Sequence, residues 1–455
     1  MYIESVDIKN IRAIDSLKMH FDKPAGWHVI IGDNGTGKSS VVRAIALALI
    51  GPEKALALGL SWEQWLAAKQ DTGHIKLQIA ADPNWDRTVD TKNASVKASA
   101  TAFPIELTFK RESVGGFSEG FSNGFSRSRP TVVLGSNIDT ATYRKPKKQV
   151  WGDYDGWFSA AYGPFRRFTG GNPELTKLYY SSPKVGAHLS AFGEDVALTE
   201  ALVWLRELDY RRLKQQETIA GPSEFNLTLE YLKRLINESN LLPHGTKLDR
   251  IEAEGPVFLD GNGNHVSVTQ MSDGYRSVLS LTFELVRQLD RVYGFKAVFH
   301  QLAKNRQDRL EIGLPGVVII DEIDAHLHPT WQTRIGQWFV KCFPNMQFIV
   351  TTHSPLICRA AANGTIYSLV APGSDEPSGE ITGIERDRLI YGNILDAYAT
   401  DAFGDDVTQS EEAREKLKVL ISLNARYSFN KLSKAEEAEM WRLRKIFTTD
   451  VTTDL

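Results

Sequence analysis

Cysteine is almost absent from this chain: Cys342 and Cys358 are the only two in 455 residues. Such scarcity argues against a disulfide framework or a cysteine-rich zinc site, fits a reducing cytoplasm, and reads most simply as two small buried residues. Long apolar runs are missing too, and Met1-Tyr2-Ile3-Glu4-Ser5 lacks a basic segment followed by a hydrophobic stretch. Neither export nor membrane anchoring is expected, and the expected location is cytoplasmic. Charge of one sign is not in excess either: the formal net charge is −3, so the molecule as a whole is not drawn to nucleic acid. A nucleic-acid contact would have to come from a local patch or a partner chain. The densest basic cluster, Arg144-Lys145-Pro146-Lys147-Lys148, reads as a solvated surface loop. What remains is an ordinary globular composition, 42% hydrophobic and 24% charged, on a chain long enough for a large core and an accessory region.

The most informative stretch that is present is Gly32-Asp33-Asn34-Gly35-Thr36-Gly37-Lys38-Ser39, set between an apolar strand, Trp27 to Ile31, and a helix from about Ser40 to Ile50. Glycines between a strand and a helix let the backbone N–H groups curl round a polyphosphate. Asn34, Gly35, Thr36, Gly37, Lys38, Ser39 and Ser40 are therefore the expected nucleotide contacts. Lys38 would neutralise the outer phosphates and the Ser39 hydroxyl would ligate magnesium, making ATP and Mg2+ the expected ligands. Downstream, the apolar run Val317 to Ile320 ends in Asp321-Glu322. Asp321 is expected to hold the metal, through water, and Glu322 to orient or deprotonate the attacking water. The competing reading is a buried strand with an acidic end and no catalytic role.

A third strand, Met346 to Thr352, is followed by His353, placed where ligands bind in an open sheet and able to reach the terminal phosphate. Met271-Ser272-Asp273-Gly274-Tyr275-Arg276 opens a helix through Leu289, with Ser272 as its cap and the first-turn N–H groups as an anion site. His326 and His328, two residues apart near carboxylates, leave open a metal or nuclease site.

Between these motifs, Tyr2 to Phe21 reads as an antiparallel strand pair in which Asn10-Ile11-Arg12 brings a cation near the nucleotide. Trp62 to Lys69 reads as helical, and His74 to Ala80 and Phe103 to Lys110 as strands. A near-repeat of Gly-Phe-Ser over Gly115 to Ser126 is too poor in bulky side chains to form a core and reads as a mobile insertion, with order resuming near Trp151. Trp157 to Arg167 reads as a buried strand with two arginines at its end. Glu194 to Ile219 and Ser223 to Asn240 form a short helical arm, and the absence of sustained heptads excludes a long coiled coil. A hairpin, Val257 to Val268, returns the chain to the core. Charged helices over Ala413 to Ile446 carry Leu417, Leu420, Ile421 and Leu432 as candidate docking positions, or else pack on the same subunit. The expected divisions are 1–112 and 245–372 for the two parts of an α/β head, 113–150 for the insertion, 151–193 for a central strand and connection, 194–244 for the arm, and 373–455 for a helical extension.

In combination, Ser272 and Gly274 resemble the signature segment of ATP-binding-cassette (ABC) ATPases, usually Leu-Ser-Gly-Gly-Gln, from which Met271, Asp273 and Tyr275 depart. The resemblance implies a P-loop ABC-type head with a mixed sheet and flanking helices. It also implies at least a head-to-head homodimer in which Ser272 and Gly274 of one copy complete the site of the other, Arg12 as a nucleotide contact, and His353 as the switch histidine. The family's magnesium-contacting glutamine has no clear counterpart, Tyr162 to Arg167 standing at that stage of the fold and offering arginines instead, so slow turnover or mere nucleotide sensing stays open beside hydrolysis.

Phe158-Ser159-Ala160-Ala161-Tyr162-Gly163-Pro164-Phe165-Arg166-Arg167, Ser272-Asp273-Gly274-Tyr275-Arg276-Ser277, Leu327-His328-Pro329 after the acidic pair, and Arg388-Leu389-Ile390-Tyr391-Gly392-Asn393 resemble the overcoming-lysogenisation-like ATPases, and among them the ATPase subunits of Septu-type anti-phage systems. That resemblance implies a separate HNH nuclease partner, with nucleic acid reached through the complex. The alternatives are a recombination-type ABC ATPase clamping DNA directly, a non-hydrolysing ATP-bound scaffold, and a related defence ATPase with a Toprim or retron partner.

Overall fold

A computed structural model describes residues 1–89, 95–97, 101–113, 130–135, 140–152, 155–166, 168, 173–193, 198–216, 224–304, 310–374, 376–393, 397, 411–427 and 432–446. They fall into two compact units, Met1–Tyr391 and Gly392–Leu455. The Gly-Phe-Ser near-repeat lies outside the described residues.

The larger unit is built on two sheets. β1 (Tyr2–Ile11), β2 (Ile14–His20), β4 (Thr72–Ala80), β7 (Phe103–Ser113) and β8 (Pro130–Gly135) form an antiparallel sheet in the order β2-β1-β4-β7-β8. β4 buries alternate residues, as a sheet with one covered face requires. β3 (Gly26–Gly32), β9 (Ser159–Tyr162), β13 (Gly316–Ile320), β14 (Met346–Thr351), β15 (Ile366–Leu369) and β16 (Gly379–Glu380) form the second, in the order β16-β15-β3-β14-β13-β9, parallel except for β16. Every residue of β13 and β14 is buried, the signature of a strand covered on both faces. Two smaller elements complete the set: β5 (Arg87–Val89) with β6 (Ser95–Lys97), and the meander β10 (Lys247–Glu252), β11 (Gly255–Leu259), β12 (His265–Ser267).

The helix Lys38–Ile50 lies between the two sheets and touches strands of both. Ile45, Leu47, Leu49 and Ile50 are fully buried, as expected of a helix that is apolar all round. Each such side chain contributes about 1.5–3 kcal/mol by burial, so this helix fastens the phosphate loop to the core.

Register sets where the loops emerge. Ile320 pairs with Val350 on one side and Tyr162 on the other, and Thr351 pairs with Ile30. The carboxyl ends of β3, β14, β13 and β9 therefore finish level, and the segments after them share one edge of the sheet.

Beneath β3, Gly364 packs so closely that a Cβ there would stand 1.9 Å from the Trp27 carbonyl oxygen. Its backbone is extended rather than left-handed, so only the missing side chain explains the glycine. Gly364→Ala is expected to push β3 out of register with β15 and cost about 2–3 kcal/mol, read as a lowered midpoint in thermal or urea unfolding.

Several local expectations change. Trp62 to Lys69 is not a helix but a 3-10 turn, Trp62–Gln64, followed by a bridge from Leu66 to Ile11. Trp65 stacks on Phe109 and Trp62 packs against it at a tilt, and that packing overrides the helical spacing. Order resumes before Trp151, since β8 pairs with β7 and Thr140–Lys147 is helical. The basic cluster is thus the end of a helix, where Lys147 pairs with Glu53 at 2.6 Å and Lys145 sits over Phe103. The strand read over Trp157 to Arg167 is confined to Ser159–Tyr162, and Arg167 lies outside the described residues. The arm consists of helices Thr199–Gln216 and Glu224–Glu238, which pack on each other.

In the smaller unit, helices Glu411–Tyr427 and Lys434–Ile446 pair through Leu420, Leu423, Met440 and Leu443, with Leu417 and Leu432 packed against them. Leu417, Leu420 and Leu432 are therefore internal to the hairpin rather than docking positions. Ile421 alone of the four faces outward, alongside Val419, Trp441 and Ile446.

Candidate nucleotide site

The phosphate loop owes its shape to left-handed glycines. Gly35 and Gly37 have φ of 84° and 97°, a region that L side chains avoid. At Gly32 a Cβ would meet the Leu369 carbonyl oxygen at 2.5 Å. Thr36 Oγ1 closes the turn by donating to the Asp33 carbonyl at 2.9 Å. Gly37 occupies the cap position with no side chain to satisfy the first N–H groups of the helix Lys38–Ile50, so they are left to an anion. Lys38 is 6% exposed and its ammonium donates to the carbonyls of Gly32 and Asp33 at 2.7 and 2.8 Å. Burial lowers its pKa, opposed by the carboxylates of Glu322, Asp321, Asp33 and Asp324. Ser39 and Ser40 follow on the same turn, each half-buried.

Two strands away, β13 delivers Asp321 and Glu322. Asp321 is buried and accepts a 2.5 Å hydrogen bond from Thr351 Oγ1. The same hydroxyl accepts the Glu322 N–H at 2.8 Å, and Glu322 sits at φ 45° with its side chain partly exposed. Arg166 holds the other side of this strained turn, donating to the carbonyls of Asp321 and Glu322 at 2.7 and 2.8 Å. Thr352 Oγ1 donates to Asp324 at 2.6 Å and accepts the Ser354 N–H. His353 stands between Thr352 and Ser354, just past the end of β14, the strand separating β3 from β13. It is half-buried and makes no hydrogen bond from its ring among the described residues.

The structure thus brings the loop, the acidic pair and His353 to one edge. Thr351, Thr352, Asp324 and the hydrogen-bonding role of Arg166 were not read from the sequence. A pair of threonines at the end of a largely apolar buried strand was the available signal.

Arg12 lies on the β1–β2 turn at φ 53°, its guanidinium 5.5 Å from the Trp65 ring centre. Burial and the neighbouring Arg43 both lower its pKa.

Ser272 takes the cap position of the helix Asp273–Tyr293, but its side chain makes no capping hydrogen bond. The expected cap is positional only, and the hydroxyl remains available. A Cβ on Gly274 would meet the His326 carbonyl oxygen at 2.8 Å, which ties this helix start to the turn after β13. Tyr275, one of the departures from the signature pattern, packs edge-on against Trp331. Asp273 pairs with Arg276. Ser272, His326, His328 and Arg334 line a cavity of about 240 Å³ that no phosphate-loop residue enters. Among the described residues no cluster suited to a metal includes these histidines. His328 instead caps the helix Pro329–Cys342 by accepting from the Thr330 N–H. Cys342 and Cys358 are buried free thiols.

The donor set fits a magnesium-bound triphosphate: a glycine cradle, a buried lysine, a hydroxyl at Ser39 and a buried carboxylate at Asp321. Fold and geometry together define an α/β head with a P-loop nucleotide-binding site. Two family models match it, "AAA ATPase domain" over residues 1–101 and "AAA domain, putative AbiEii toxin, Type IV TA system" over residues 187–359.

Among curated proteins, the chain is 24% identical to Septu protein PtuA of Bacillus mycoides (strain KBAB4), over 81% of this chain and 40% of that protein. It is 23% identical to the Retron Ec83 probable ATPase of Escherichia coli, over 81% of this chain and 71% of that one. The chain therefore spans well under half the length of the first of these relatives. Among solved structures, an Smc head bound to the C-winged helix domain of ScpA aligns at a TM-score of 0.44 and 17% identity, covering 85% of this chain and 99% of that one. No described helix is long and apolar enough to cross a membrane.

Proposed function

We propose that this chain binds and hydrolyses ATP as a subunit of a bacterial anti-phage defence complex, works as at least a head-to-head dimer, and controls a separate HNH-type nuclease. The observation that carries the catalytic part is the convergence of the phosphate loop, Asp321–Glu322 and His353 on adjacent strand ends, with Lys38 buried in the field of the carboxylates. Backbone N–H groups of Asn34 to Ser40 and the Lys38 ammonium bind the phosphates. Ser39 and Asp321 would hold magnesium, which when bound neutralises phosphate charge. Glu322, fixed through its N–H and carbonyl, orients the attacking water and takes its proton, and His353 donates toward the terminal phosphate.

Ser272 and Gly274 come from the second copy. Support for this is the uncapped Ser272 hydroxyl in a cavity that excludes the chain's own phosphate loop. The defence role rests on resemblance to Septu and retron ATPases. The outward Val419, Ile421, Trp441 and Ile446 of the C-terminal hairpin offer exposed apolar contacts for the nuclease, which would be the route to nucleic acid. A retron partner is the second reading, favoured by the longer share of the Escherichia coli relative that is matched.

Purified chain with ATP and Mg2+ is expected to shift from monomer to dimer mass in light scattering and to release phosphate. Lys38→Met should lose about 100-fold in nucleotide affinity. A wild-type chain that binds no ATP, or binds it and releases no phosphate, rejects the hydrolytic reading.

A further inference from the structure

Arg166 is buried, and three of its four hydrogen bonds reach segments distant in sequence. Its Nη1 donates to the Gly163 carbonyl at 2.9 Å and the Asp321 carbonyl at 2.7 Å, Nη2 to the Glu322 carbonyl at 2.8 Å, and Nε to Ser277 Oγ at 3.1 Å. Three segments distant in sequence meet on one guanidinium: the end of β9, the acidic turn after β13, and the helix that begins at Ser272. Planar, forked donors suit this task, and a lysine could not reach all four acceptors at once.

We propose that Arg166 is a positioning residue that couples the signature helix to the acidic pair, so that the grip of Ser272 on one nucleotide sets the pose of Glu322 over the other. This inference rests on the head-to-head ATPase reading above.

The mechanical argument follows from the two ends of the link. Ser277 is buried and lies five residues after Ser272, on the same rigid helix, so a displacement at the phosphate-facing tip is carried to Ser277. Glu322 occupies a left-handed backbone pose that costs energy without a glycine. That pose persists only because Thr351 holds its N–H and Arg166 its carbonyl. Burial draws the pKa of Arg166 down to about 10, with Asp321, Asp324 and Glu322 opposing the fall, so the guanidinium is charged at neutral pH. In a dimer with two shared sites, this single side chain joins the part of the head that serves the partner's nucleotide to the part that serves its own.

The test uses the full chain with ATP and Mg2+. Ser277→Ala removes only the hydroxyl that Arg166 Nε reaches and leaves all three carbonyl contacts. It is expected to lower kcat about tenfold with KM, nucleotide affinity and thermal midpoint unchanged, and Ser277→Thr is expected to restore turnover. Arg166→Lys should lower kcat further, and adding Ser277→Ala to it should cost nothing more, since both act on one link. Wild-type kcat in Ser277→Ala, fully multiplicative losses in the double variant, or a loss of turnover that merely tracks a lowered thermal midpoint would each overturn the coupling. Failure of the coupling leaves wild-type turnover intact, whereas failure of the ATPase reading removes wild-type turnover itself.

Discussion

Glu322→Gln is expected to slow single-turnover phosphate release by about two to three orders of magnitude while ATP stays bound and the dimer persists. Glutamine matches the volume and polarity of glutamate, and the contacts that fix residue 322 are made by its backbone N–H and carbonyl, which the substitution leaves in place. What is lost is the ability to accept a proton from water. Because Lys38 lies in the field of Glu322 and Asp321, removing one negative charge should also strengthen the hold on triphosphate. ATP-loaded dimers should therefore accumulate in light scattering. Unchanged phosphate release would remove Glu322 from the chemistry and leave His353 or an unassisted water as the remaining routes.

The second large effect concerns where the signature acts. Ser272→Asp keeps a good cap residue at the head of its helix but places a carboxylate where a phosphate is proposed to arrive, so turnover should fall about 100-fold without loss of fold. Lys38→Met disables the other half of the site. Mixed in equal amounts, the two dead variants should regain turnover above either alone, with about one quarter of wild type as the ceiling, because the coupling through Arg166 lowers the yield of a site whose Glu322 comes from the Ser272→Asp subunit. Half of the random dimers pair unlike subunits, and each of those carries one fully intact composite site. Phosphate release that stays at the level of either variant alone would place the signature outside the partner's site and undo the dimer proposal.

Much of this architecture was readable in advance because its signals are local. The glycines of the phosphate loop, the apolar strand ahead of it and the buried helix behind it agree at every level. β13 and β14 announce themselves as short apolar runs ending in chemistry. The misreadings arose where packing between distant segments decides the outcome. Trp62 to Lys69 has helical spacing, yet its tryptophans are drawn to Phe109, and the chain bridges to β1 instead. Leu417 and Leu420 read as docking positions, but the second helix of the same unit packs on them, and Leu432, just ahead of that helix, joins the same cluster. Arg166 is the sharpest case. In sequence it is one of two arginines after a strand, and only the fold shows its guanidinium buried against the backbone of a turn 155 residues away.

The Lys38 ammonium already rests on the Gly32 and Asp33 carbonyls, so the loop carries internal substitutes for the oxygens of a guest. Nucleotide capture is then an exchange of partners, not the satisfaction of a stranded cation, and the net gain from the lysine is the difference between a charged phosphate and two neutral amides. Such a seat favours whichever guest presents the greatest negative charge to that one nitrogen.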